Sequence, residues 1–157
     1  MSASLKPLNV YSRSDEEIGR SLSNFAPTPF TLDEIDYASV EGFYVSLLFT
    51  DEAKRDKTRK LHGLVVKNMG KKSKLTRTCY RGEWFDLGSP AHVALIKRAI
   101  RAKLAAHSEI ANAFAATHPR PIVHDCGHPE PADAVFPARV FVGILEELRS
   151  ELATSGA

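Results

Sequence analysis

Ser39-Val40-Glu41-Gly42-Phe43-Tyr44-Val45-Ser46-Leu47-Leu48-Phe49 is the stretch whose reading decides the fold. Val40, Phe43, Tyr44, Leu47 and Leu48 recur at i, i+3, i+4, i+7 and i+8, the spacing of one buried helical face. Ser39 directly precedes them and supplies the side-chain oxygen that caps a helix. The same period dominates the rest of the chain. A second, charged helix is expected over about residues 51–66. Ser89-Pro90 is a helix start, with Ser as cap and Pro at the first helical position. Val93, Ile96, Ile100 and Leu104 follow as an apolar stripe, with Lys97, Arg98, Arg101 and Lys103 on the remaining faces. Ser108 restarts a helix carrying Ile110 and Phe114, which Pro119 and Pro121 stop. The last helix opens at Pro137 and packs through Val140, Phe141, Ile144, Leu145 and Leu148.

Strand signals are few. Phe30-Thr31-Leu32 and Ile35-Asp36-Tyr37 flank Asp33-Glu34 as a small hairpin. Leu8, Val10 and Tyr11 suggest a short strand in an otherwise polar, irregular segment running to Arg20. The expected fold is therefore mainly α with a small β-hairpin, a single domain over residues 1–157 with short flexible termini.

The chain has 157 residues, 43% apolar and 25% charged, the balance of an ordinary globular protein. No run is long and apolar enough to span a bilayer, and the N-terminus lacks the apolar core of a signal peptide. Two cysteines do not make a disulfide framework, so a reducing, cytoplasmic setting is expected. The net charge of +2 conceals a polarised layout. Residues 1–53 carry three Lys/Arg against nine Asp/Glu, residues 54–81 eleven against one, and residues 82–157 seven against nine. The basic middle is either a solvated face or a surface that attracts phosphate or nucleic acid. Its centre, Lys67-Asn68-Met69-Gly70-Lys71-Lys72-Ser73-Lys74, reads as a loop whose amides and ammonium groups could meet phosphate, although no Walker or dinucleotide glycine pattern is present.

Three groups carry potential chemistry. Glu41 falls in the first turn of its helix. The free amides there favour the ionised carboxylate, while Val40, Phe43 and Tyr44 would raise its pKa by desolvation. It is either a helix-start acid complementing the dipole or an acid–base catalyst. Gly42 beside it is costly inside a helix, and room for close approach of a backbone or ligand would compensate. Asn24-Phe25, in the Pro-bounded loop 23–30, offers an amide and a stacking surface, or is a structural turn. Trp84, the sole tryptophan, is either core or a platform for a base. His124-Asp125-Cys126-Gly127-His128, with His118, fits no standard zinc spacing, so no metal is assigned. His124 and Asp125 either line a site or satisfy their own loop.

Taken together, these segments resemble the NADAR superfamily of YbiA-like N-glycosidases, from about Tyr11 to Leu152. The resemblance rests on Leu22-Ser23-Asn24-Phe25-Ala26 with the later Pro29-Phe30, on Tyr37-Ala38-Ser39-Val40-Glu41, and on Gly70 with its basic neighbours. Trp84 ahead of the 91–105 helix and the Phe136 to Arg149 segment add to it. It implies a compact, mainly helical domain that hydrolyses an N-glycosidic bond without a cofactor. The implied substrates are ribosylated pyrimidine phosphates of riboflavin synthesis, or ADP-ribose on guanine, free or in nucleic acid. By the same resemblance Glu41 stands at the reaction centre, with Asn24, Phe25 and Tyr44 beside it. Trp84 is the site tryptophan, and Gly19-Arg20 precedes the Asn-Phe block; the basic segment itself offers Lys71 and Lys72 to hold phosphate. Two departures stand out. Gly42 follows the motif Glu where many members have His, and Ile122-Val123-His124 replaces a Leu-Val-Glu step. His124 or Asp125 is therefore expected to supply the second proton-transfer group. The alternative reading is a module that binds ADP-ribose without turning it over.

Overall fold

The computed structural model describes residues 4–155, so the expected flexible termini fall partly outside the described residues. The chain is mainly helical and divides into two compact units, one formed by residues 24–106 and the other by the segments before and after it.

The 24–106 unit is built around α2 (Val40–Ser46), which packs against α3 (Glu52–Thr58), α4 (Gly63–Gly70) and α5 (Pro90–Ala106). Ser39 caps α2 as expected, its Oγ accepting from the Gly42 N–H at 2.9 Å. The same hydroxyl donates to the Leu61 carbonyl, which ties the cap to the turn between α3 and α4. Val40, Phe43, Val45 and Leu47 are buried. β2 (Phe30–Leu32) and β3 (Ile35–Tyr37) form the expected hairpin, with Phe30 opposite Tyr37 and Leu32 opposite Ile35. Phe30, Tyr37, Phe43 and Tyr80 pack ring to ring along one core.

Four details differ from the sequence reading. The charged helix over 51–66 is two helices, separated at residues 59–62, where the Arg59 carbonyl accepts from Ala38 N–H. Gly63 enters α4 at a φ of +70°, a conformation open to glycine and poor for a continuing helix. Residues 67–70, expected in a loop, form the last turn of α4. A second hairpin, β4 (Arg77–Tyr80) with β5 (Glu83–Asp86), turns at Arg81-Gly82, both at positive φ. Finally, Lys103 lies on the buried face of α5, not the solvated one, and burial pushes its ammonium down to about 7.

The other unit holds β1 (Leu8–Asn9), α1 (Glu17–Leu22), α6 (Ser108–Ala115), β6 (Ile122–Val123) and α7 (Ala138–Ser155). β1 and β6 pair in parallel, Leu8 with Ile122 and Asn9 with Val123. The segment before Arg20 is not wholly irregular, because α1 forms at its end. Six residues are too short to show a period, and a tertiary contact helps to fix their entry. The Arg120 guanidinium binds both oxygens of Glu16, the N-cap residue, at 2.6 and 3.0 Å. α7 buries Phe141, Ile144, Leu145 and Leu148, matching the expected stripe except for Val140, which is half-buried.

Candidate functional site

Glu41 sits in the first turn of α2, where the cap leaves its backbone N–H free to donate to the Asn24 carbonyl at 2.9 Å. That bond holds the 23–30 loop against the helix start and makes Asn24 and Glu41 neighbours. Desolvation pushes the Glu41 carboxyl up to about 7, against the downward pull of the Lys67 ammonium. The same Lys67 Nζ lies 5.6 Å from the centroid of the Phe25 ring. Asn24 Oδ1 is buried with no hydrogen-bond partner, an open acceptor in a place where such groups are normally satisfied. One turn on, burial and then the Glu41 charge push the Tyr44 phenol up to about 12.

Tyr44 also belongs to an aromatic cluster around His92. Its ring centroid is 5.7 Å from that of His92, and the opposite neighbour of His92 is Phe85, at 5.8 Å. His92 is fully buried in α5. Its Nδ1 accepts from the Gly88 N–H, and burial drives its pKa down to about 4, so the ring is neutral. The sequence reading missed this residue. Its signal is helical spacing: His92 and Lys103 fall four before and seven after Ile96, on the apolar face of α5, where a polar side chain is unexpected.

Gly42 needs no ligand to explain it. A Cβ there would lie 2.7 Å from the Leu61 carbonyl oxygen and 2.9 Å from that of Thr58, so the glycine admits the α3–α4 turn. Gly19, in the other unit, is likewise packed against backbone, with Asn9 O 2.2 Å from an added Cβ. Arg20 there donates to the Ser14 carbonyl at 2.8 Å.

Trp84 is not core. It is 57% exposed on β5, opposite Cys79, and Phe85 rather than Trp84 points to the His92 stack. Lys71 and Lys72 are exposed at the C-terminal end of α4, where the helix presents carbonyls and not amides. Of the loop expected over residues 67–74 only the part after Gly70 is non-helical, and Lys67, in the last turn of α4, is the lysine beside Glu41. A cavity of about 540 Å³ lies next to the β4–β5 hairpin, lined by Asp33, Tyr80, Phe85, Leu95 and Arg98 among others; Glu41 is not in its wall. Asp33 there accepts from Tyr80 OH at 2.6 Å and from Arg98 at 2.7 Å, which holds its carboxyl below the usual range.

His124 and Asp125 follow β6 in the other unit. His124 Nδ1 lies 2.6 Å from the Val10 carbonyl oxygen, and Nε2 lies 3.3 Å from Cys126 Sγ. Asn9 clamps Asp125 through both backbone groups, donating to its carbonyl at 3.0 Å and accepting from its N–H at 2.9 Å. The exposed Asp125 carboxylate accepts from Gly127 N–H in a local turn. The Asp125 carboxylate thus closes its own turn, while His124 is tied to Val10 on one side and to Cys126 on the other. Among the described residues no group of three or more His, Cys, Asp and Glu is arranged to hold a metal ion, and no helix is long and apolar enough to cross a membrane.

Residues 17–150 match the family model described as bacteriophage protein GP30.3. No curated protein sequence matches the chain. Among solved structures, the NMR structure of the E. coli protein YbiA superimposes with a TM-score of 0.67 at 23% identity. The match covers 98% of this chain and 90% of that one. The helical arrangement is thus that of YbiA.

Proposed function

Because the chain belongs to the bacteriophage protein GP30.3 family, within the YbiA-like NADAR clan, we propose that it hydrolyses the N-glycosidic bond of a ribosylated, phosphate-bearing nucleobase or pyrimidine. The observation that carries this reading is the Glu41 carboxyl at the start of α2, joined through its backbone to Asn24 with its unpartnered buried Oδ1, and desolvated so that its pKa is pushed up to about 7. Cleavage at an anomeric carbon passes through an oxocarbenium-like transition state. It requires a proton for the leaving nitrogen, stabilisation of the sugar cation, and an activated water. Protonated Glu41 delivers the proton, and the carboxylate left behind stabilises the cation.

The surroundings suit that role. Asn24 Oδ1 offers an acceptor to an N–H of the base or a hydroxyl of the ribose. Phe25 offers a stacking face, and Lys67 above it takes the phosphate-binding role expected of Lys71 and Lys72. Glycoside hydrolysis commonly divides its proton transfers between two carboxylates. Attack of water on the sugar cation completes the hydrolysis. The substrate is ADP-ribosylated guanine, free or in nucleic acid, or a ribosylated pyrimidine phosphate of the riboflavin pathway.

Mass spectrometry of products, after incubation with ADP-ribosylated guanine nucleotides and with ribosylated pyrimidine phosphates, tests the reaction. Free base or amine should be released from one class. A folded Glu41→Gln protein that released it at the wild-type rate would rule out the role of Glu41. A second reading, binding of ADP-ribose without turnover, is favoured by the existing hydrogen bonds of His124 to Val10 and of the Asp125 carboxylate to Gly127. Calorimetric binding of ADP-ribose with no product from either substrate class would select it.

A further inference from the structure

The loop after β6 contains the arrangement by which proteins activate a thiol, and it lies within one compact unit. His124 Nδ1 is 2.6 Å from the carbonyl oxygen of Val10. A carbonyl only accepts, so Nδ1 carries the ring proton. The lone pair of the neutral ring is then on Nε2, and Nε2 faces Cys126 Sγ at 3.3 Å. A nucleophile in hydrogen-bond reach of a base, with that base oriented by a third group, is the general form of an activated nucleophile. Here the third group is a backbone carbonyl of the strand segment that pairs with β6.

Other contacts hold the pair in place. The His124 ring meets Phe141 edge-on at 5.4 Å between centroids and Tyr11 at 6.4 Å, which fixes its orientation. Asn9 clamps the backbone of the intervening Asp125, and the Asp125 carboxylate is turned to the Gly127 N–H. Cys126 itself is only half-buried, so a small reagent can reach it. This accounts for the unusual His-Asp-Cys sequence without a metal.

We propose that Cys126 and His124 form a thiolate–imidazolium pair and that Cys126 is a peroxide-sensitive modification site. The thiol proton passes to His124 Nε2, and the Val10 carbonyl stabilises the resulting cation through Nδ1–H. The sulfur then attacks hydrogen peroxide. An S–O bond forms, the O–O bond breaks, and the leaving hydroxide takes the proton from Nε2 and departs as water. Sulfur is oxidised by two electrons to sulfenic acid and the peroxide is reduced. A small thiol returns Cys126 to its starting state through a mixed disulfide.

The test uses the full chain carrying Cys79→Ser, so that Cys126 alone reports. Iodoacetamide alkylation followed by intact mass at about pH 6.5 should run about fivefold faster than for a free thiol. That figure weighs the larger thiolate fraction against the weaker nucleophilicity of an acidic thiol. Hydrogen peroxide should yield a sulfenic acid trapped by dimedone. His124→Asn should return alkylation to the free-thiol rate. Ultraviolet thiolate absorbance, compared between the Cys79→Ser protein and the same protein with Cys126→Ser, keeps the test decisive if His124→Asn does not fold. Free-thiol alkylation kinetics, or no thiolate absorbance below neutral pH, would overturn the proposal.

Discussion

The start of α2 and the loop after β6 each hold a carboxylate, and they treat it in opposite ways. Glu41 is desolvated, lifted to about 7, and placed beside an amide oxygen that has no partner. Asp125 is exposed, and its carboxylate closes a local turn. What separates the two is solvent, not residue type. A glutamate in a first helical turn would ordinarily be held ionised by the amide ends; here the surrounding apolar groups outweigh them. The first region is built to change protonation state near neutrality, and the second to hold a loop whose reactive partner is a thiol.

The most direct attack on this contrast is to neutralise each carboxylate. Glu41→Gln is expected to lower the rate of N-glycoside cleavage by about 10²–10⁴, the span typical of a positioned acid–base group. Asp125→Asn keeps the acceptor for Gly127 N–H and should lower the rate by no more than about 10². Product release followed by mass spectrometry gives both numbers. A larger loss in Asp125→Asn than in Glu41→Gln would reverse the assignment.

Stability against pH sharpens the same contrast without needing a substrate. The folded pKa of Glu41 lies above the ordinary glutamate value of 4.5, so between about 4.5 and 7 the native state binds more protons than the unfolded chain. Its contribution is therefore fully present below about pH 4.5 and is lost as pH rises through 7. Removing the ionisable group should relieve the cost. Glu41→Gln is expected to gain up to about 3 kcal/mol relative to wild type at pH 8, and close to nothing at about pH 4.5. Asp125→Asn should stay within about 0.5 kcal/mol throughout. Urea melts at the two pH values measure both. A pH-independent effect of Glu41→Gln would mean that the carboxyl is solvated.

The glycines of the two regions differ in kind as well. Gly42→Ala places a methyl group 2.7 and 2.9 Å from two backbone oxygens, and α2 must part from the α3–α4 turn by roughly 1–3 kcal/mol. Gly127 has open space around its Cβ position but a φ of +84°, so Gly127→Ala should cost only about 1 kcal/mol, through backbone strain alone. Chemical denaturation separates them. Equal costs would mean that the turn yields to the added methyl.

Much of the scaffold was legible in the chain, because the apolar spacing of α2, α5 and α7 and the Asp33-Glu34 turn are local signals. What escaped depends on tertiary contacts. α1 is entered through the Arg120–Glu16 pair, whose members are 104 residues apart. The helix expected over 51–66 breaks where the Arg59 and Leu61 carbonyls accept from Ala38 N–H and the Ser39 hydroxyl. At the candidate site, residue type marks Asn24 and Glu41 only as candidates, the family resemblance sets them side by side, and a backbone hydrogen bond joins them. Lys67 and His92 were not found. Nothing in Lys67-Asn68-Met69-Gly70-Lys71-Lys72 distinguishes the lysine near a carboxylate from those at an exposed helix end. His92 is marked only by its register on the apolar face of α5.

Trp84 provides the gentlest probe of where the α2 region ends. Sequence placed it in the site, whereas the hairpin register sends Phe85 to the His92–Tyr44 stack and leaves Trp84 on the exposed side. Trp84→Ala should therefore change stability by no more than about 0.5 kcal/mol, as for other surface substitutions, while Phe85→Ala costs more by removing a ring stacked on a buried histidine. The informative readout is kinetic. If Trp84 is a platform for the base, its alanine variant raises KM while stability and the pH dependence set by Glu41 stay unchanged. If it is only an exposed strand residue, KM does not move, and the aromatic surface serving the α2 site is Phe25 together with Tyr44.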